Sequence, residues 1–409
     1  MKSQKLRSSN KFRKKNILFI SNDFNYFIDN NGSFYRMYQI LSYFHKHKDF
    51  NVIVLQTNRE KELEKNSFKK NIKSYYYKPI QIFRNQFVNF IDFNPFFISK
   101  VVRILKKNRI DLIHVDFAYG IFILNFLTKI PISYNAHNVE SIYWKEVGKF
   151  YYKIPIFLRF MYSKFIHFIE KKAVKFAINI NAISFYDKKK FLDIYKIPES
   201  KISVIYRGYK ENLFNNPIKK EKARERLGID SDKFVVIFHG YYHINDANRE
   251  AIHIIKEKIA PNIKDKDILF LIAGKMPPFK NQKNLKFLGF VENLKEFLYA
   301  ADIAIVPIFR GSGIRVKMLD YYSANIPIIA TKQGTLGLIL KNDKHGYIVN
   351  PKIPIEDTIE KILYLKNNPE KLKEFKRNII NLMENEYNWD NISKRIEKRY
   401  NEIIHMKSS

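Results

Sequence analysis

A chain of 409 residues with 46% hydrophobic side chains can bury a sizeable core, and its length suggests about two domains. The formal net charge of +33 points to a polyanionic neighbour (nucleic acid, anionic membrane or phosphorylated ligand) or to a lysine-rich proteome. With no cysteine, disulfides and thiolate chemistry are excluded.

In chain order, the first feature is a basic tail, residues 1–15, with seven basic residues and no acidic one. The apolar run after it, NILFIS, is too short for a signal peptide. No window reaches the roughly 18 uncharged apolar residues that a membrane-spanning helix needs. Short apolar runs then alternate with helical stretches. NILFIS (16–21), FNVIVLQ (50–56), LIHVD (112–116), IPISYNAH (130–137), AININ (177–181) and ISVIYRG (202–208) read as strands. After a charged connector, NNPIKKEKARERLGIDSD, a second series follows. It comprises FVVIFHG (234–240), ILFLIAG (268–274), LKFLGF (285–290), DIAIVPI (302–308), IPIIAT (326–331) and GYIVN (346–350). Such alternation predicts parallel sheets covered by helices on both faces. The expected organisation is an N-terminal Rossmann-like domain over 16–208, a linker over 209–232 and a C-terminal Rossmann-like domain over 233–385. A last helix, 386–409, is expected to pack back on the first domain.

In open parallel sheets, ligands bind outside the carboxyl ends of the strands, where the strand order reverses. The stretch GSGIRVKMLDYYSANIPIIAT, residues 311–331, begins at such a strand end. Gly240, Gly311 and Gly313 allow close backbone approach, and a following helix start offers free N–H groups to an anion. Arg315 and Lys317 add the charge that a diphosphate requires. Asp320, one turn further on, is placed to accept bonds from ribose hydroxyls. Chemistry alone leaves two readings open: a phosphate-binding α/β cleft, or a strand–turn–helix whose glycines turn and whose charges solubilise.

The same stretch, extended to GSGIRVKMLDYYSANIPIIATKQGTLGL, resembles the nucleotide-sugar segment of glycosyltransferase family four, in its G-S-G-x-R-x-K branch. NAHNVES is similar to the family's HN-x-E motif, NLKFLGFVENLKEFLYAADIAIVP to its central run, and EYNWDNISKRIEKRYNEI to its closing helix. DFNYFIDNNGSFYRMYQIL is similar to its glycine-containing first loop and helix. The resemblance spans residues 16–405. It departs at Asp320, where the family has glutamate, at Tyr321 and Tyr322, where the family has small residues, and at Leu336, where it has another glutamate.

The resemblance implies a GT-B fold, two facing Rossmann-like domains with an interdomain cleft, and sugar transfer from a nucleotide-diphosphate donor with retention of configuration. It assigns Arg315 and Lys317 to the leaving diphosphate and His137 to the reacting centre. Donor contacts then fall to Gly240, Gly311, Ser312, Gly313, Asp320 and the amides of Thr335, Leu336 and Gly337. Asn138 and Glu140 hold the His137 loop. Gly32 and Ser33 fit a loop near the diphosphate or acceptor. Arg36 either pairs with an anionic acceptor or lies on a solvated helix face. No metal ligands and no cofactor are expected. Residues 145–175 carry eight basic and two acidic residues among aromatics, which suits an anionic membrane surface or a helix whose aromatics are core. Nucleic acid is not expected, since no RNA-binding pattern is present. The expected partners are a nucleotide sugar and a glycan or lipid-linked acceptor, at the cytoplasmic membrane face. The alternatives are a degenerate GT-B protein serving as a scaffold, and a nucleotide-sugar epimerase or phosphorylase.

Overall fold

The computed structural model describes residues 13–21, 26–27, 32–57, 71–79, 91–147, 155–209, 215–242, 246–311 and 314–408. The chain divides into two units, residues 1–207 with 389–409, and residues 208–388.

The first unit is built on seven strands: β1 (Lys15–Ile20), β2 (Phe50–Thr57), β3 (Lys73–Tyr77), β4 (Leu112–Asp116), β5 (Ile132–Asn135), β6 (Asn179–Ala182) and β7 (Ile202–Val204). All pair in parallel, in the order β3-β2-β1-β4-β5-β6-β7. The central strands are apolar throughout because helices cover both faces, so no alternation is needed. β3 was missed by sequence reading. KSYYY is half exposed at the sheet edge, and its lysine and tyrosines conceal it among polar neighbours. The last helix, Trp389–Ser408, belongs to this unit, and its Trp389, Ile392, Ile396, Tyr400 and Ile403 join the same core.

The second unit has six parallel strands: β8 (Phe234–His239), β9 (Ile268–Ala273), β10 (Leu285–Gly289), β11 (Ile303–Val306), β12 (Ile328–Ala330) and β13 (Gly346–Ile348). Their order is β10-β9-β8-β11-β12-β13. Residues 209–232, read above as a linker, are part of this unit. Within them, the helix Lys220–Arg226 is tied to the sheet by Arg224, which is buried and bonds to Asp302 at 2.7 Å and to the Ala300 carbonyl at 3.0 Å. The ends of β8 and β9 approach so closely that a Cβ at Gly274 would lie 2.1 Å from the Gly240 carbonyl oxygen, and Gly274 has φ +137. Only glycine fits there. In each sheet the chain order reverses once near the middle, between β1 and β4 and between β8 and β11.

Candidate active site

The reversal in the first sheet carries a buried carboxylate. Asp116 ends β4 with no solvent exposure. Its Oδ1 accepts from Asn135 Nδ2 at 2.6 Å and from His137 Nε2 at 2.7 Å. Its Oδ2 accepts from His114 Nε2 at 3.1 Å and from the Tyr26 hydroxyl. Burial pushes the Asp116 carboxyl up, but the His114 and His137 partners outweigh it and hold the group well below the usual carboxylate range. His137 moves the other way. Burial lowers it to about 4, the Arg36 and His114 charges act in the same sense, and Asp116 opposes them.

Backbone and neighbours fix the ring. Phe117, directly after Asp116, has φ 69 and stacks on His137 with centroids 4.3 Å apart. A phenylalanine held in that left-handed region costs on the order of 1–3 kcal/mol, the kind of strain that clusters at functional sites. Arg36 is wholly buried and donates to the Ala136 carbonyl at 3.0 Å and the Ile205 carbonyl at 3.3 Å. It is therefore a clamp on the strand end before His137, and neither a solvated helix face nor an exposed partner for an acceptor. Glu140 opens the helix Glu140–Val147 and accepts from the Tyr119 hydroxyl at 3.1 Å. The amides of Glu140 and Ser141 donate to Glu170 at 2.8 and 2.9 Å, so a carboxylate from another helix caps this one. Asn138 sits half-buried in the bend. Gly32 and Ser33 open the helix Gly32–Lys46, and their side chains lie outside the described residues.

The reversal in the second sheet gathers cations. Arg315 precedes the helix Val316–Ser323 and is buried. Its guanidinium donates to the carbonyls of Arg310 at 3.0 Å and Gly311 at 2.8 Å, and to that of Gln333 at 3.4 Å. Lys317 Nζ donates to Asn248 Oδ1 at 2.6 Å and lies 4.0 Å from the centre of the Phe238 ring. Burial lowers the Lys317 ammonium well below its ordinary value, Arg315 lowers it further, and Asp320 opposes them. Asp320 is buried, with His239 Nε2 at 3.6 Å. Tyr321 and Tyr322, fully buried, explain their own bulk. One hydroxyl accepts the His239 amide at 3.0 Å, and the other donates to the Ile339 carbonyl at 3.2 Å.

The 335–337 loop joins this group. Gly337 has φ +85, and a Cβ there would strike Ile314 at 2.5 Å. Arg315 N donates to the Leu336 carbonyl at 3.2 Å. The Thr335 and Leu336 amides are engaged in a tight turn with the Lys332 and Gln333 carbonyls, at 3.3 and 3.5 Å. Gly240, Gly311, Arg315, Lys317, Asp320, Thr335, Leu336 and Gly337 thus all belong to this unit. Ser312 and Gly313 lie outside the described residues. Sequence reading missed Asp116, His114, Tyr26, Phe238, His239 and Asn248. Asp116 had a signal, a lone carboxylate closing the apolar strand LIHVD. Asn248 had none.

The profile of "Glycosyltransferase Family 4" matches residues 30–212, and that of "Glycosyl transferases group 1" matches residues 233–368. The chain belongs to the family 4, group 1 glycosyltransferases. It is 24% identical over 339 residues to an uncharacterized glycosyltransferase of Methanocaldococcus jannaschii, covering 75% of this chain and 79% of that one. Among solved structures, this glycosyltransferase resembles Anabaena HepE in complex with UDP, at 16% identity and TM-score 0.66, over 95% of this chain and 100% of that chain. It also resembles a glycosyltransferase from Rickettsia africae, at 19% identity and TM-score 0.67, over 96% and 99%. Two parallel-sheet α/β units with such neighbours make it a GT-B glycosyltransferase.

The basic, aromatic segment of this glycosyltransferase splits by face. The helix Ile156–Phe176 buries Ile166, Ile169, Ala173 and Val174, while Phe157 is 65% exposed, and Ile156, Phe160, Met161 and Phe168 are also exposed. Lys164 and Lys172 lie over Phe160 and Phe168. The buried side fits the reading of a helix packed on the core, and the outer side carries exposed aromatics beside lysines. Tyr151 and Tyr152 lie outside the described residues. Among the described residues, no helix is long and apolar enough to cross a membrane.

Proposed function

We propose that the protein transfers a sugar from a nucleotide-diphosphate donor to a glycan or lipid-linked acceptor, with retention of configuration. The observation that carries this reading is the pairing of Arg315 with Lys317 at the reversal of the second sheet. Burial is the main cause of the lowered Lys317 ammonium, the Arg315 charge adds to it and Asp320 opposes it, so an arriving anion would favour both cations. A leaving diphosphate supplies that anion, and its charge grows in the transition state, where such groups act most strongly. In this reading the cations meet that charge without a metal ion, and Asp320 accepts from a ribose hydroxyl. UDP is the first donor base to try, since HepE is described in complex with UDP and with UDP-glucose.

Thermal shift against UDP, GDP, ADP and their glucose conjugates tests this. A ligand at 100 times its Kd stabilises by about 2.7 kcal/mol. Asp320→Asn is expected to weaken nucleotide binding, and Asp320→Glu to retain it. Turnover with any responding donor in excess EDTA completes the test. No response to any nucleotide sinks the reading, and binding without turnover favours the scaffold alternative.

The exposed face of Ile156–Phe176 supports an anionic bilayer as the place where the acceptor is met. Phenylalanines beside lysines suit the headgroup boundary, and each basic residue near such a surface contributes about 1 kcal/mol. Co-sedimentation with phosphatidylserine-containing vesicles is expected at 0.1 M salt and should weaken at 1 M, as the Debye length falls from about 10 Å to about 3 Å. Phe157→Ser with Phe160→Ser should remove the salt-resistant part. Absence of binding at low salt overturns this placement.

A further inference from the structure

The Asp116 carboxylate can only accept hydrogen bonds, so each group facing it within bonding distance must donate. For His137 this means that Nε2 carries a proton. The ring itself is neutral near pH 7, because burial, with the charges of Arg36 and His114, lowers it to about 4 against the pull of Asp116. A neutral imidazole has one N–H, so Nδ1 is left as a lone pair. That atom is buried and has no hydrogen-bond partner, and the same holds for Asn135 Oδ1 and Arg36 Nε beside it. Leaving a buried acceptor unmade costs on the order of 1–3 kcal/mol, so a polar atom in this state calls for a donor from outside the chain. The surroundings hold the ring rather than complete it: Phe117 covers one face, Arg36 clamps the preceding carbonyl, and Asn135 shares the Asp116 oxygen.

We propose that Asp116 is a positioning residue that fixes the His137 tautomer, so that Nδ1 stays a bare acceptor for a hydroxyl donated by a bound sugar. The sugar belongs either to the nucleotide donor or to the acceptor, and both offer the same hydroxyl chemistry. The proposal rests on the transferase reading only for the identity of the ligand, since the tautomer is a property of the free protein. Asp116→Asn presents an amide N–H₂ to a cluster of groups that must donate. The resulting conflict is relieved when an imidazole moves its proton from Nε2 to Nδ1. Asp116→Glu keeps the carboxylate and should preserve the tautomer.

The experiment is nitrogen-15 NMR of the full chain labelled at histidine, with His137 assigned by the signals lost in His137→Gln. Wild-type His137 is expected to be neutral and protonated on Nε2 at pH 7. Saturating UDP-glucose should shift its Nδ1 resonance where UDP does not, if the donor sugar supplies the hydroxyl. If the acceptor supplies it, both leave Nδ1 unmoved, and Asp116→Asn raises KM for acceptor alone. In Asp116→Asn the proton should move to Nδ1, with kcat/KM for transfer falling about tenfold, equivalent to about 1.4 kcal/mol and in line with one lost hydrogen bond. A wild-type Nδ1 proton, an unchanged tautomer in Asp116→Asn, or an unchanged kcat/KM despite a changed tautomer each overturns the proposal. The wild-type spectrum decides even if Asp116→Asn fails to fold. It also needs no nucleotide, so it stands apart from failure of the donor reading.

Discussion

Both sheets reverse their strand order at a place where polar groups gather, yet the two places are built in opposite ways. In the first, Asp116 draws donors from β1, β4 and β5 neighbours, and the Arg36 guanidinium, lowered to about 10 chiefly by burial, is supported by that carboxylate's charge. In the second, the buried Arg315 has Lys317 as its charged neighbour, and the effect on the lysine is unfavourable. Both arginines bond to backbone carbonyls, so hydrogen bonding alone does not separate them. Charge balance does. At the first place His137 Nδ1, Asn135 Oδ1 and Arg36 Nε are buried without hydrogen-bond partners, while the second sets two cations, Arg315 and Lys317, against the single carboxylate of Asp320. In the readings proposed above, the first organises a neutral acceptor and the second receives a diphosphate.

Replacing the two arginines breaks the comparison most severely. Arg315→Ala or Lys317→Ala is expected to lower kcat by about 10²–10³-fold, the usual loss when one preorganised charge stabiliser is removed. Lys317→Ala should change the melting temperature little beside that loss, whereas Arg315→Ala also releases three carbonyls and should lower it in addition. Arg36→Met should do the reverse, since it strands two buried carbonyls at a cost of about 1–3 kcal/mol each. Its signature is a lower melting temperature, with activity retained at temperatures where the variant is folded. Steady-state kinetics beside calorimetry reads both. Near-wild-type turnover in Arg315→Ala and Lys317→Ala would erase the distinction.

The layout of the sheets was legible because buried parallel strands are continuous apolar runs, and twelve such runs could be read directly. β3 escaped because an edge strand need not be apolar on both faces. The cation site was legible for a different reason. Arg315, Lys317 and Asp320 sit within six consecutive positions of one helix start, so local spacing encodes them. Asp116 and His137 are 21 residues apart and meet only through β4–β5 pairing. Tyr26 and Tyr400 reach the same cluster from opposite ends of the chain. Register across a sheet brings such groups together, and no local pattern announces it. The Arg36 reading failed for a related reason. An arginine on an amphipathic helix is usually solvated, and only the tertiary fold supplies the two carbonyls that let it be buried.

The smallest effect is also the most specific to the charge argument. If Lys317 loses part of its charge through burial beside Arg315, a bound diphosphate should raise its pKa and the complex should take up protons. Above about pH 8 the phosphate groups are already ionised, their last ionisation lying near 6, so uptake there belongs to the protein. The sign follows from linkage: the bound state holds more protons, so UDP affinity should fall as pH rises through the lowered Lys317 range toward the ordinary lysine value. One proton sets the ceiling, a tenfold change in Kd per pH unit, equivalent to about 1.4 kcal/mol. Isothermal titration calorimetry in buffers of different ionisation enthalpy measures the uptake directly. Lys317→Arg should bind UDP with no uptake, because a guanidinium stays charged throughout. Asp320→Asn should increase the uptake, since the aspartate is what supports the ammonium in the free protein. Wild-type binding with no proton uptake, and with affinity flat from pH 8 to 10, would mean that Lys317 is already fully charged or does not meet the phosphates. The contrast between the two reversal points would then rest on Arg315 alone.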